Sequence, residues 1–323
     1  MNKKEVMTSR ERFLAASRGL PVDRMPVFYW LNPHGCCKLI ARYQNYKGWF
    51  WNIGGHLMWT LFHKTGELNA PYLFRLMPLG MEFYTYNVAA EYAFQLGSDM
   101  GMFQHSTPYR FARLGFQDGH VVFKDVYGVT RSMGSGIYQD MHSAPIKSVD
   151  DLKTYKFPNL KDESRYNIFR KMRRKYPDKC LASEVFGAFD LPEESLFGTE
   201  RYLTMLMDYP EEMQAFLKRW IDNEINVVRN SVKAGVDLIF IADDYGYNNR
   251  TFLSPRMWKT MIYPHLKSLI DAAHEAGVPA VLHSCGYQMT LLDFYVEAGL
   301  DMLHSNRWPV MIWPLPMPGM AIN

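Results

Sequence analysis

From residue 210 onward the sequence repeats one pattern three times: a helix with an apolar stripe, a glycine, a short apolar run, then a polar cluster. The first helix opens at Pro210. It carries Met213, Phe216, Leu217, Trp220, Ile221, Ile225, Val228 and Val232 at a helical period until Gly235. Residues 236–242 then read as a buried strand leading into Asp243-Asp244-Tyr245-Gly246. Ser254-Pro255 caps the second helix, since proline at the first helical position loses no hydrogen bond, and Pro264 predicts a kink before the stop at Gly277. Residues 278–282 form the next strand, which runs out into His283-Ser284-Cys285-Gly286. Residues 290–298 give a third helix, Gly299 ends it, and residues 300–303 give a strand before His304-Ser305. Strands alternating with helices of this length build parallel βαβ units. Polar clusters at every strand C-terminus are the pattern of a (β/α)8 TIM-barrel active face. A doubly wound sheet would require a glycine-rich phosphate loop after an early strand, and none occurs.

The earlier half is less regular. Thr8 and Glu11 have capping-box spacing and predict a helix that stops at Gly19, followed by a turn and short strand over residues 23–30. Residues 31–92 are crowded with aromatics, among them Trp49, Trp51, Trp59, Phe83 and Tyr84, and read as irregular helices that either wall a pocket or form plain core. A helix end at residues 91–96 precedes a strand over 97–103. Residues 111–138 alternate polar and apolar with spaced glycines, which predicts an antiparallel hairpin insertion. Ser148 and Asp151 form a second capping box, residues 165–179 a basic helix with a solvated face, and Cys180 opens a strand ending near Glu184. The expected organisation is one barrel domain over residues 1–305, with the insertion near 111–138, and an atypical Pro-rich tail over 306–323. About six of the eight strands such a barrel needs can be counted. The C-terminal part is therefore expected to be missing, through truncation or a shifted reading frame. The alternative is completion by a partner chain or a homo-oligomer.

Composition narrows the function classes. With 48% hydrophobic and 21% charged residues the chain is ordinary for a globular protein, and a net charge of +3 gives no electrostatic footprint for nucleic acid. The four cysteines, Cys36, Cys37, Cys180 and Cys285, are too scattered for a disulfide framework. No uncharged apolar run reaches the roughly 18 residues of a membrane span, and no signal-peptide pattern follows Met1. The expected setting is cytoplasmic, without membrane or nucleic acid.

His283 and Cys285, at i and i+2 of an extended segment, project from the same face. They suit two ligands of a zinc ion, a buried cysteine beside a hydrogen-bonded histidine, or a cysteine nucleophile with a histidine base. A catalytic zinc needs at least one more protein ligand. Glu184, Asp243, Asp244 and His304 are the strand-end candidates, which the sequence does not rank. Such a zinc with an open position would strip the proton from a substrate thiol and so favour thiol alkylation. Asp243 and Asp244 suit acid–base work, a metal or a helix cap; Tyr245 and Tyr247 suit hydrogen bonds to substrate or packing.

Several separate pieces, in order, resemble the uroporphyrinogen decarboxylase superfamily: Gly19-Leu-Pro-Val-Asp-Arg-Met-Pro-Val, Pro145-Ile-Lys-Ser-Val-Asp-Asp-Leu, Ala234-Gly-Val-Asp, Asp243-Asp-Tyr-Gly, Leu253-Ser-Pro and His283-Ser-Cys-Gly. The resemblance implies a (β/α)8 barrel with its site at the strand C-termini. The His-x-Cys pair looks like the zinc ligands of the methylcobamide-dependent methyltransferase branch, implying zinc at His283 and Cys285 and a corrinoid carried by a partner protein. A small-molecule methyl donor or acceptor is implied with it. On this reading Asp243, Asp244 and Glu184 are catalytic, and Tyr245, Ser106 and His304 bind substrate. Two departures stand out from the decarboxylases themselves. Their arginine-rich motif is replaced here by Phe28-Tyr-Trp-Leu-Asn-Pro-His, and their catalytic aspartate by Ser106. From the methyltransferases the departure is that no cysteine follows Cys285 to supply their third ligand. A porphyrinogen decarboxylase (a lyase of porphyrin biosynthesis) and a non-catalytic or inactive relative are the alternatives.

Overall fold

The computed structural model describes residues 6–31, 89–105, 112–117, 120–133, 139–304 and 313–314. Ser106, most of the aromatic stretch over 31–92 and nearly all of the tail lie outside them. Ten strands are described. β1 is Met100–Phe103; β2, β3, β4 and β5 are Ala112–Gln117, His120–Lys124, Thr130–Met133 and Gln139–Ser143. β6 is Cys180–Phe186, β7 Leu238–Ala242, β8 Ala280–His283, β9 Met302–His304 and β10 Trp313–Pro314.

The main sheet runs β1-β6-β7-β8-β9-β10. Its first five strands are parallel, with Glu184 beside Phe240, Phe240 beside Val281, and His283 beside His304. Phe28 adds a parallel bridge to Met100, so the strand predicted over residues 23–30 is present as a single bridge. A short antiparallel pairing of β10 with β9 follows on the other edge. The sheet is strongly curved. Phe28 and His304 sit five strand spacings apart, about 24 Å if the sheet were flat. Their ring centroids are 5.8 Å apart. Curling of this kind makes the sheet a TIM-barrel-type α/β fold, as the repeat predicted.

Side chains alternate across the strands accordingly. Met100, Met102, Cys180, Ala182, Leu238, Phe240, Val281 and Met302 point inward with Phe28 and fill the interior, where Phe13 joins them from the first helix. Leu181, Val185, Ile239, Ile241 and Leu282 point outward into the helix layer. There they meet the helix Pro210–Lys233, which buries Met213, Phe216, Leu217, Trp220, Ile221, Val227 and Val228. The predicted kink is a break at Ile262 between helices Pro255–Met261 and Tyr263–Glu275. Both capping boxes form. The basic helix, Asn167–Lys175, is less solvated than its charges suggest: Arg173 donates to the Gly235 carbonyl at 3.0 Å and also pairs with Asp237. The insertion exceeds a hairpin, because β2 to β5 make a four-stranded antiparallel sheet.

One buried carboxyl interrupts the apolar stripe of the Pro210–Lys233 helix. Glu224 is fully buried, accepts the Phe186 N–H at 3.1 Å through Oε2 and leaves Oε1 without a hydrogen bond. Burial pushes its carboxyl up to about 8. Because the folded value lies above the unfolded one, the native state holds the extra proton. The stability linked to it is complete below about pH 4 and is lost as pH rises through about 8. Glu224→Gln keeps an acceptor for Phe186 and cannot ionise. Urea denaturation should show it gaining on the wild type between pH 5 and pH 8.5.

Candidate metal site

The loops leaving β7 and β8 are locked together backbone to backbone. Gly246 N–H donates to the Cys285 carbonyl at 3.1 Å, and Tyr287 N–H to the Tyr247 carbonyl at 2.8 Å. Tyr245 N–H donates to Ser284 Oγ at 2.9 Å, and Cys285 N–H to Asp244 Oδ1 at 2.7 Å. Both motifs end in glycine for a steric reason. A Cβ on Gly286 would overlap the Gly246 carbonyl, and one on Gly246 would lie 2.5 Å from Tyr287 N and 2.6 Å from the Cys285 carbonyl oxygen. Gly286 also has φ +75°, a left-handed backbone that side chains disfavour.

This clasp delivers three donors to one point. His283 Nε2 lies 3.4 Å from Cys285 Sγ and 3.6 Å from Asp244 Oδ1, and the three ligand atoms fall within 4.8 Å of one another. Tetrahedral zinc at ordinary bond lengths separates N from S and N from O by about 3.4–3.6 Å. The donor set therefore fits: one imidazole, one thiol and one carboxylate, already spaced as ligands on one side of an ion. His283 is buried while Asp244 and Cys285 are half-buried, leaving one side of the group open. Burial holds the His283 imidazole below its usual pKa, against the opposing pull of Asp244. Burial likewise lowers His304 to about 4. Both rings are thus neutral at pH 7, the form that coordinates a cation.

The other residues singled out by sequence scatter around this centre. Asp243 faces away from it, accepting Phe189 N–H at 2.9 Å and Asp190 N–H at 2.6 Å, so it braces the loop after β6. Burial pushes its carboxyl up to about 7. Glu184 points into the barrel from β6, accepts Gln104 Nε2 at 2.5 Å and is pushed up to about 7 by burial. Tyr245 turns into the helix layer, its ring 5.2 Å from Trp258 and 6.3 Å from Phe189. It is buried there away from the opening, because the tight Tyr-Gly turn sends its side chain outward. Tyr247, two residues on, is exposed on the rim. His304 is buried, with Nδ1 2.8 Å from His283 Nδ1. It packs behind the ligand pair.

Two residues at the mouth were not singled out from sequence. Trp30 sets its ring edge-on to His283, centroids 4.9 Å apart, and is 41% exposed, forming an aromatic wall on the open side. Its signal was its place at the end of the strand predicted over residues 23–30. Asp190 follows β6 and is pushed up to about 8 by burial and by Asp244 and Asp243. The mouth thus concentrates acidic groups, which favours a bound cation.

Comparison with known proteins bears on the family and the fold. The family described as Uroporphyrinogen decarboxylase (URO-D) matches residues 106–310. Curated uroporphyrinogen decarboxylases from Aeromonas salmonicida and Geotalea daltonii are 22% and 24% identical over 167 and 204 residues, covering 48% and 58% of this chain. These stretches are 46% and 59% of the relatives, so the chain spans about half the length of the curated relatives it matches. A solved methyltransferase from Methanosarcina mazei superposes with a TM-score of 0.61 at 18% identity, covering 92% of this chain and 76% of that one.

Proposed function

The chain belongs to the uroporphyrinogen decarboxylase family, and within it we propose that this protein is a zinc-dependent methyltransferase, exchanging a methyl group between a corrinoid carried by a partner protein and a thiol. The observation that carries the reading is the convergence of Asp244, His283 and Cys285 with their donor atoms within 4.8 Å at the strand C-termini. His283 Nε2, Cys285 Sγ and Asp244 Oδ1 would hold the ion. On this reading Asp244 would be the third ligand, the part that the resemblance gives to a later cysteine absent here. Zinc would supply the positive charge that lets a substrate thiol lose its proton at neutral pH. Glu184, an interior carboxyl near pKa 7, is the group assigned to that proton. Trp30 and Phe240 keep water from the His283 side of the centre, their rings 4.9 and 6.0 Å from it. The methyl-transfer reading is favoured over decarboxylation because Phe28-Tyr-Trp stands where the decarboxylases carry arginines for a polycarboxylated substrate. A cytoplasmic setting belongs to the same proposal; among the described residues no helix is long and apolar enough to cross a membrane.

Purified protein should contain about one zinc per chain, as a single three-ligand site requires. Cobalt(II) in its place should give a near-ultraviolet thiolate band that disappears in Cys285→Ser. A metal-free protein that still transfers methyl groups, or tight porphyrin binding without metal, would overturn the reading.

A further inference from the structure

Zinc sites are set by what stands behind the ligands as well as by the ligands. We propose that His304 is a positioning residue: it accepts a hydrogen bond from His283 Nδ1 and so holds His283 in the tautomer whose Nε2 lone pair faces Cys285 and Asp244. The functional part of this inference rests on the zinc reading above; the tautomer itself does not.

The two Nδ1 atoms are 2.8 Å apart, so one ring must donate and the other accept. The far side of His283 decides which. Were Nε2 protonated, its nearest carboxylate oxygen would be Asp244 Oδ1 at 3.6 Å, beyond hydrogen-bond range. That oxygen already accepts the Cys285 N–H at 2.7 Å. Its other neighbour, Cys285 Sγ at 3.4 Å, is only a weak acceptor for an N–H, so Nε2 is better satisfied bare, receiving the thiol. His283 therefore carries its proton on Nδ1 and donates it to His304 Nδ1, which places the His304 proton on Nε2. The geometry that holds the acceptor still is built into the sheet. His283 and His304 are register partners in β8 and β9, and the His304 carbonyl accepts the Ser284 N–H at 3.2 Å. Phe28 and Phe240 pack on the His304 ring at 5.8 and 5.7 Å. A buried imidazole fixed by strand pairing and by two aromatic rings has little freedom to offer any other atom to His283.

The test uses two substitutions and two readouts. His304→Leu fills the space and removes the ring acceptor while keeping the backbone of residue 304, which also bonds the His283 ring; His304→Asn restores a side-chain acceptor through Oδ1. Ring-nitrogen NMR of metal-free, histidine-labelled protein should report the Nδ1–H tautomer for His283 in the wild type and His304→Asn, and a shift to Nε2–H in His304→Leu. Zinc affinity by competition with a chromophoric chelator should fall about 10–100-fold in His304→Leu and recover most of that loss in His304→Asn. An unchanged tautomer in His304→Leu overturns the proposal, as does unchanged zinc affinity in a wild type that binds zinc. If the wild type binds no zinc but the tautomer switches, the zinc reading fails and the positioning role of His304 stands.

Discussion

Gly286→Ala is expected to cost at least 100-fold in zinc affinity, more than loss of a residue behind the ligands, while leaving the circular dichroism of the barrel unchanged. A methyl group there meets the Gly246 carbonyl and the Tyr247 carbonyl oxygen at 2.7 Å, both of them backbone, which cannot rotate aside as a side chain would. The loops must part, and parting them breaks the Gly246–Cys285 bond and the Cys285–Asp244 bond together. His283 stays on β8, but Asp244 and Cys285 lose their common position. The left-handed backbone adds roughly 1–2 kcal/mol of strain. Two companions separate these effects. Gly246→Ala meets the same crossing without a positive φ and should lose zinc similarly. Gly277→Ala has φ +84° but open space around it, so it should lower stability by the strain alone and leave zinc affinity untouched. Chelator competition on the three proteins checks this; wild-type affinity in Gly286→Ala would mean that the clasp does not assemble the site.

How much of this was legible beforehand depended on whether the relevant physics is local. The repeat after residue 210 predicted strands over 236–242, 278–282 and 300–303, which the structure forms at 238–242, 280–283 and 302–304, and the polar clusters at their ends, because period, glycine stops and strand-end position are all written along the chain. The spacing of His283 and Cys285 likewise placed both on one face. Which acid joins them was not legible. Asp243 and Asp244 are neighbours of the same type, and only the crossing of two loops some forty residues apart sends one to the loop after β6 and the other to Cys285. Tyr245 suited either a substrate contact or packing, and the structure buries it in the core against Trp258. His304 read as a candidate ligand or substrate contact, and strand pairing sets it beside His283 with the two Nδ1 atoms 2.8 Å apart. The insertion was underestimated because residues 139–143 carry no strand pattern of their own; pairing with β4 makes them one.

Asp99→Asn should destabilise the fold by about 3–5 kcal/mol, the cost of removing one partner from a buried ion pair. The motif around Asp23-Arg24, which carried part of the family resemblance, acts here and away from the candidate metal site. Arg12 and Asp99 both have fully buried side chains, with Nη1 2.7 Å from Oδ1. Arg12 Nε reaches Asp23 Oδ1 at 2.6 Å, and Arg24 Nη1 reaches Asp99 Oδ2 at 2.6 Å. Asp99 also accepts the Val27 N–H at 2.8 Å. Two arginines and two aspartates thus fasten the first helix, Ser9–Ser17, and the segment after it to the start of β1, below the interior that Phe13 closes. Asparagine offers one acceptor where the carboxylate receives four hydrogen bonds, and it leaves two guanidiniums facing a neutral group. The pH dependence identifies the cause. Burial raises the Asp99 carboxyl, but hydrogen bonds from Arg24 and Val27 outweigh it and the net direction is down. A folded pKa below the unfolded one gives stability that is present above about pH 4 and is lost as pH falls further. The gap between wild type and Asp99→Asn, measured by urea denaturation, should therefore be full at pH 7 and narrow below pH 4. A gap that stays constant across that range would assign the loss to shape at this position rather than to the buried charge.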